Sequence, residues 1–458
     1  MRLYNRRCLM NPVQTTRRMG LKMAILLTVF GMDGLTGWSY DRTVKCRVEI
    51  DRNILPADEN QRAVIKITLD ALTPPKHARQ PVNLAIVLDR SGSMRGEKLE
   101  KAKEAAIQAL RRLDARDIFS LVVYDTQVET IVPAQSVENT EWIESRIRHI
   151  AAGNSTALFG GVSQGAAEIR KNLDRKYVHR IILLSDGIAN VGPSAPEDLG
   201  RLGAALIKEG IAVTTVGVGT DYNEDLMTRL SRSGDGNTYF VESSVDLPRI
   251  FNAELGDVLS IVAQQVYLTI ECSDGVRPVA VIGRDGRIRG QTVELYLNQL
   301  YGGQEKYALV EVEIPAGKHG ATLTIASARV TYENPFTRKK ETSGAEVSSR
   351  FSKDQREVDN SDNATVKKAY YLTINAVGEE RAIMLADEGK KEDAADLLRS
   401  SAAELKAAGI KYDDRELKDK AQAMDASAGE IEKEGMSSVK RKTIRTESYQ
   451  QINQQVSY

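Results

Sequence analysis

The chain has 458 residues, of which 41% are hydrophobic and 28% charged, an ordinary composition for a globular protein of two or three domains. Lysine plus arginine and aspartate plus glutamate both number 63, so the basic excess of nucleic-acid-binding proteins is absent. Aromatic residues make up only 5%, which argues against surfaces that stack bases. We therefore expect no nucleic-acid partner.

Residues 1–37 have the pattern of an export signal. The first 22 residues carry six basic side chains and no acidic one, and the apolar stretch MAILLTVFGM follows. These ten residues are too few to span a bilayer, which takes about 20, whereas a basic flank before a short apolar core is typical of a secretory signal. The stretch TRRMGLK also resembles a twin-arginine signal. We predict a periplasmic or extracellular protein that meets a membrane only through export, and a buried strand or weak anchor is the alternative.

Residues 38–80 alternate apolar and polar side chains, as in RTVKCRVEI, and residues 260–350 do the same, as in QVYLTIECS. This alternation is typical of half-buried strands. We predict that the two stretches form one β-sandwich and that the residues between them are an inserted domain.

The inserted residues 81–259 alternate short apolar runs with helical patterns. The runs VNLAIVL and HRIILLS predict buried strands, and EKLEKAKEAAIQALRRL has apolar residues at helical spacing. Strands that alternate with helices indicate an α/β fold with a doubly wound, mostly parallel sheet.

The remaining chain is more polar. We predict a linker at 351–363, which belongs to a longer polar stretch that could instead hold a last ragged strand. Residues 364–435 are rich in Ala, Glu, Lys and Leu and predict two or three helices in hairpins. Residues 436–458 are polar and predict a flexible tail, although its tyrosines could dock.

Two cysteines would remain after removal of a signal that contains Cys8. An even number of cysteines in an oxidising compartment is consistent with a disulfide, here between Cys46 and Cys272. In the chain-entropy model a bridge that closes so long a loop adds about 5 kcal/mol of stability. Two buried thiols are the alternative, because the sequence does not give their distance.

Oxygen-bearing side chains follow the ends of predicted strands. Asp89, Ser91 and Ser93 lie in IVLDRSGSM, at the exit of an apolar run. Ligands of doubly wound sheets bind at the carboxyl ends of strands, and hard divalent cations prefer oxygen ligands. Three residues of one loop cannot surround an ion, so neighbouring loops must supply more. Thr156 in GNSTALFGG and Asp186 in ILLSDG lie at suitable places.

The segments DRSGSM and SDG, with Thr156 before its helix, together resemble the metal-ion-dependent adhesion site of von Willebrand factor type A domains. The resemblance implies that Ser91, Ser93 and Thr156 give hydroxyl oxygens directly to an ion. It implies that Asp89 and Asp186 act directly or through water. It further implies Mg²⁺, with Mn²⁺ or Ca²⁺ as alternative ions, and an open coordination position for an Asp or Glu of a protein partner.

The resemblance covers about residues 82–259, and a looser one includes the flanks. The stretches DYNEDLM and VDLPRIFNAELGDVLSIVA resemble bacterial exported proteins that carry this domain inside a β-sandwich. Such proteins are labelled as similar to calcium-activated chloride channel regulators or to inter-alpha-trypsin-inhibitor heavy chains.

Catalytic and nucleotide motifs are missing from the sequence. It contains no H-E-x-x-H and no phosphate loop, and GVSQG falls inside a predicted helix, where a nucleophile elbow cannot form. We predict an exported, non-enzymatic module in which bound Mg²⁺ captures an acidic residue of a protein partner, without a nucleotide. The alternative is an accessory subunit, chelatase-like or channel-regulator-like, that docks its enzyme or transport partner through the same site.

Overall fold

The computed structural model describes residues 43–74 and 79–455. The predicted export signal at 1–37 lies outside the described residues, and so does Cys8. None of the helices in the described part of the chain combines the length and the apolar character needed to cross a bilayer.

The described residues form three sheets whose strands are β1 (Val44–Ile50), β2 (Ile54–Pro56), β3 (Gln61–Ala71), β4 (Val82–Asp89), β5 (Ile118–Tyr124), β6 (Val128–Ser136), β7 (Val178–Ser185), β8 (Ile211–Val218), β9 (Asp235–Val241), β10 (Ile261–Cys272), β11 (Arg277–Ile282), β12 (Arg287–Arg289), β13 (Thr292–Tyr301), β14 (Glu305–Ile314), β15 (Thr322–Asn334) and β16 (Lys339–Ser352). The α-helices are α1 (Glu97–Leu110), α2 (Thr140–Arg148), α3 (Leu158–Arg170), α4 (Pro196–Lys208), α5 (Glu224–Ser233), α6 (Leu247–Leu259), α7 (Gln355–Asp359), α8 (Ala364–Asp387), α9 (Lys391–Lys411), α10 (Arg415–Glu434) and α11 (Ser438–Asn453).

Strands from both sides of the α/β domain form one β-sandwich, which confirms the predicted insertion. One sheet has the order β1–β3–β14–β11 and the other β12–β13–β10–β15–β16–β2. Strand β3 precedes the α/β domain and β14 follows it, yet they pair antiparallel over ten residues. Alternate side chains of both sheets share one apolar core, as the period of two predicts.

The α/β domain is a six-stranded sheet in the order β6–β5–β4–β7–β8–β9. Its strands are parallel except β6, which pairs antiparallel with β5 at one edge. Helices α1, α2 and α6 cover one face and α3, α4 and α5 the other. Central strands such as β4 and β7 are buried along their whole length, so they appear in the sequence as unbroken apolar runs.

The predicted linker and the helical region after it form regular structure that packs through buried side chains. The polar stretch before 353 is strand β16, so the alternative of a last strand is correct. The short helix α7 lies within the predicted linker and buries Val358. Helices α8, α9 and α10 then pack around their own apolar core, as the composition predicts.

The prediction of a flexible tail at 436–458 is wrong for residues 438–453, which form α11. This helix packs beside β9, where the Tyr449 hydroxyl donates to the carbonyl of Gly236 at 2.7 Å. The backbone N–H of Thr238 donates to the side chain of Gln455 at 3.0 Å. Half of the side chains that α11 buries are polar, namely Lys442, Thr446 and Ser448. Its sequence therefore lacks the apolar periodicity that would have predicted a docked helix.

The structure does not join Cys46 to Cys272, and both thiols are free and buried. The N–H of Cys46 donates to Ser343 at 3.1 Å, and Ser343 lies opposite Val330 of β15. Cys272 lies opposite Ala326 of the same strand. Four residues along a strand span about 13 Å, whereas a disulfide requires Cα atoms within about 7 Å. Burial raises the pKa of each thiol to about 11, with a contribution from the Asp70 charge at Cys46.

Glu224 anchors α11 to the α/β domain. Its buried carboxylate accepts hydrogen bonds from Arg441 and Lys442, and Lys442 also donates to the carbonyl of Tyr222 at 2.7 Å. We expect Glu224→Gln to lower the free energy of unfolding by about 3 kcal/mol, because it leaves a buried ammonium without its counter-charge. Urea unfolding measures this loss.

A matched control is Glu447→Gln, which breaks an exposed pair with Lys420 and should cost less than about 1 kcal/mol. Equal losses in the two variants would contradict a buried anchor at Glu224.

Candidate metal-binding site

The predicted ligand residues lie at the carboxyl edge of the sheet in the α/β domain. Asp89 is the last residue of β4, and Asp186 directly follows β7. These two strands are parallel neighbours. Strand order proceeds from β4 to β5 in one direction and from β7 to β8 in the other, and open α/β sheets bind ligands at such a switch point.

Asp89 is fully buried and shapes the loop that follows it. One carboxylate oxygen accepts from the N–H of Ser91 at 2.8 Å, and the other accepts from the hydroxyl of Ser185 at 2.7 Å. Burial raises the pKa of Asp89 to about 6; these hydrogen bonds partly offset the rise, and the Asp186 charge adds to it. Both carboxylate oxygens of Asp89 therefore already accept hydrogen bonds from the protein. Such a carboxylate is suited to contact an ion through a water molecule.

Three hydroxyl oxygens surround the position of Gly187. A Cβ atom at this glycine would lie 3.1 Å from the hydroxyl oxygen of Thr156, 3.4 Å from that of Ser93 and 3.6 Å from that of Ser91. The Ser91 and Ser93 oxygens are 3.1 Å apart, and Ser93 donates to Asp186 at 2.7 Å. The structure therefore brings together four of the five predicted side chains, around space that exists because residue 187 has no side chain.

The loop that carries Thr156 is held by the loop after β7. The N–H of Thr156 donates to the side-chain oxygen of Asn190 at 2.8 Å, and the N–H of Asn190 donates back to the carbonyl of Thr156 at 3.1 Å. The N–H of Gly92 donates to the carbonyl of Asn154 at 2.9 Å. The three loops of the site therefore support one another through backbone hydrogen bonds.

Sequence reasoning missed Lys98, which lies in the first turn of α1. Its ammonium is 2.5 Å from the second carboxylate oxygen of Asp186, which is fully buried. The ammonium of Lys98 lies at the positive end of the helix dipole, which is unfavourable. The position of this lysine in the sequence therefore indicated that a negative group lies close to it. Asn190 was also missed, because it supports Thr156 from outside the motif. Ser185 lies in the SDG segment, but its hydrogen bond to Asp89 was not predicted.

The donor set fits a hard divalent cation. It consists of hydroxyl and carboxylate oxygens, the ligands that Mg²⁺, Mn²⁺ and Ca²⁺ prefer. Among the described residues no group of three or more His, Cys, Asp or Glu side chains offers another metal site. The carboxylates of Asp89 and Asp186, when ionised, carry two negative charges, of which the Lys98 ammonium balances one.

The family model of the von Willebrand factor type A domain matches residues 83–253. The matched stretch is the α/β domain, and the sandwich strands and the C-terminal helices lie outside it. Proteins with this domain mostly act in adhesion or as scaffolds that bind other proteins, and the domain typically binds a divalent metal at its adhesion site.

Relatives share different parts of the chain. An uncharacterized protein of Synechocystis sp. is 26% identical over 308 residues, which cover 63% of this chain and 72% of that protein. Human inter-alpha-trypsin inhibitor heavy chain H3 is 26% identical over 178 residues, 36% of this chain and 20% of the heavy chain. The E3 ubiquitin-protein ligase WAV3 of Arabidopsis thaliana is 25% identical over 344 residues, 72% of this chain and 43% of the ligase. The match thus spans less than half the length of the last two proteins.

Solved structures share a fold that covers most of this chain. The ArnB paralog VWA2 from Sulfolobus acidocaldarius has a TM-score of 0.60 at 17% identity, over 90% of this chain and 99% of that one. A von Willebrand factor type A protein from Catenulispora acidiphila has a TM-score of 0.62 at 16% identity, over 85% and 97%. At this coverage the shared fold extends beyond the α/β domain.

The hydrogen bond from Ser185 should be measurable in the stability of the protein. We expect Ser185→Ala to lower the free energy of unfolding by about 2 kcal/mol, because a hydrogen bond to a buried charged group is lost. Ser163→Ala, at a half-buried position inside α3, is the control and should not destabilise the protein, since alanine favours helix. A Ser185 variant as stable as the control in urea unfolding would show that Asp89 does not depend on this bond.

Proposed function

We propose that this protein is a metal-dependent binding module for other proteins, because residues 83–253 match the family model of the von Willebrand factor type A domain. A divalent cation, Mg²⁺ in the first place, would be held by the hydroxyl oxygens of Ser91, Ser93 and Thr156. Asp186 would act beside them, and Asp89 through water. The bound ion would supply an open coordination position to a carboxylate of the partner.

The convergence of three hydroxyl oxygens around Gly187 is the observation that carries this proposal. The three hydroxyl groups are neutral, so only the carboxylates of Asp89 and Asp186 would offset the charge of a bound ion. Lys98 reduces that offset through its pair with Asp186. A divalent ion, two carboxylates and one ammonium leave a net charge of plus one, which favours an incoming Asp or Glu.

The burial of the candidate ligands favours one direction of approach for a partner. Asp89 and Asp186 are fully buried beneath the site, whereas Ser93 lies in the exposed part of the loop. The partner carboxylate would therefore enter from the loop side, over the turn that links β4 to α1. We propose that the protein is exported, which rests on the pattern of residues 1–37 alone.

A second candidate is an accessory subunit that docks an enzyme through the same site. The match to the ligase WAV3 favours it, because that match covers 72% of this chain, more than the α/β domain alone, within a longer enzyme. In either case this chain would bind and position its partner.

Gly187→Ala tests the ion site without removal of any ligand. We expect at least a tenfold loss of Mg²⁺ and Mn²⁺ affinity in calorimetric titration, because the methyl group would fill the space among the three hydroxyls. Gly429→Ala is a matched control, since a Cβ there meets open space on α10. Unchanged ion binding in the Gly187 variant would contradict the proposed ligand set.

Partner capture tests the function itself. A displayed library of random peptides should yield sequences that share an acidic residue, and Mg²⁺ should be required for their retention. Binding should disappear on chelation, in Asp186→Ala and after exchange of the peptide's Asp for Asn. Acidic peptides that bind equally well with chelator present would rule out capture through the metal.

A further inference from the structure

A cleft of about 730 Å³ lies where the α/β domain meets the β-sandwich. Its lining includes residues at the amino ends of β7 and β8, such as His179 and Gly210. The metal-binding residues lie at the opposite ends of these strands, so the length of β7 separates the two places by about 25 Å. Clefts of about 300–1,000 Å³ at domain interfaces are the usual sites of small ligands. We propose that this cleft is a second binding site, for a short neutral oligosaccharide.

Two exposed tyrosines form one wall of the cleft. Tyr267 of β10 and Tyr296 of β13 lie directly opposite each other in the sheet, with ring centroids 4.8 Å apart. Their residues are 54% and 44% exposed. Tyr177 lies on the side of the α/β domain. Flat aromatic faces with a polar edge suit the C–H faces and hydroxyl groups of a sugar ring.

Glutamines continue this wall. Gln264 of β10 lies opposite Gln299 of β13, in the same ladder as the two tyrosines, and both line the cleft beside Gln265. An amide group carries donors and an acceptor side by side, which matches neighbouring hydroxyls that each donate and accept. The lining therefore offers stacking surfaces and paired polar groups together.

Charge in the cleft is balanced. Arg175 and Lys208 line it together with Glu209 and Glu333, two cations with two carboxylates. A site for phosphate or for an acidic polymer would carry an excess of cations. The balance favours a neutral ligand that forms many hydrogen bonds.

One lining residue is held in position before a ligand arrives. Gln299 is 5% exposed, and its side-chain oxygen accepts from the buried guanidinium of Arg180 at 2.9 Å. Arg180 in turn donates to the hydroxyl of Tyr301 at 2.9 Å. Because the contact with Arg180 holds the amide of Gln299 in place, this side chain loses little conformational freedom when a ligand binds.

Gln265 has a left-handed backbone conformation at an irregularity in strand β10. Its φ is +50°, and it lies where the pairing of β10 with β15 is interrupted between Gln264 and Tyr267. Left-handed backbone is unfavourable for glutamine and free for glycine. Bulges of this kind redirect side chains and are frequent beside binding sites.

An array of defined neutral and acidic oligosaccharides, followed by calorimetry with the best binder, tests the proposal on the full chain. We expect neutral saccharides of two to four units to bind, and chelator should not change their affinity. Tyr296→Ala and Tyr267→Ala should each weaken binding at least tenfold. Trp142→Ala, an exposed aromatic residue on α2, should leave the affinity unchanged.

Gln265→Gly separates a binding role from a structural one. Glycine adopts a φ of +50° without strain, so this variant should melt no lower than the wild type and yet bind several-fold more weakly. The proposal is overturned if the array gives no neutral binder, or if binding survives both tyrosine substitutions. It is also overturned if a peptide library, and no saccharide, gives ligands that depend on Tyr267.

Discussion

The parallel pairing of β4 with β7 determines where the candidate ligands of this protein lie. Each strand is fully buried; β4 ends at Asp89, and Asp186 directly follows β7, so the pairing brings both carboxylates to one edge of the sheet. The loops beyond them then meet through the hydrogen bonds of Asn154, Thr156 and Asn190. The hydroxyl cluster around Gly187 is the consequence, since it needs three loops in fixed register and one residue without a side chain. A shift of one residue in this pairing would turn the ligands to the other face of the sheet.

The last helix of the α/β domain connects this sheet to the sandwich. Glu254 of α6 is fully buried and accepts hydrogen bonds from Thr214 at 2.6 Å, Asn237 at 2.7 Å and Tyr239 at 3.1 Å. Arg180 of β7 lies 3.6 Å from the same carboxylate and also contacts the sandwich strand β13. Because buried charges are costly unless paired, this network fastens α6, the sheet and the sandwich to one another. The candidate metal site and the cleft at the opposite end of β7 are therefore connected by one network of buried hydrogen bonds.

Much of this could be predicted from the sequence, for physical reasons that differ from element to element. Unbroken apolar runs identify β4 and β7, and alternating ones identify the sandwich strands, because burial on two faces or one face leaves those patterns. The ligand residues follow from a motif whose spacing is set by one loop. Lys98 and Asn190 lie outside the motif, and their contacts join residues that are far apart in the sequence. Ser185 lies in the SDG segment, but the sequence does not show its hydrogen bond to Asp89. The helix α11 and the separation of Cys46 from Cys272 depend on polar burial and on strand register, neither of which leaves a periodic signal.

Anomalous diffraction from crystals grown with Mn²⁺ tests the proposed metal site most simply, because it locates the ion in the absence of a partner. We expect one strong peak bounded by the hydroxyl oxygens of Ser91, Ser93 and Thr156, next to Gly187. Water should bridge this peak to Asp89. If no peak lies among these hydroxyl groups at saturating Mn²⁺, Ser91, Ser93 and Thr156 do not form a metal-binding site.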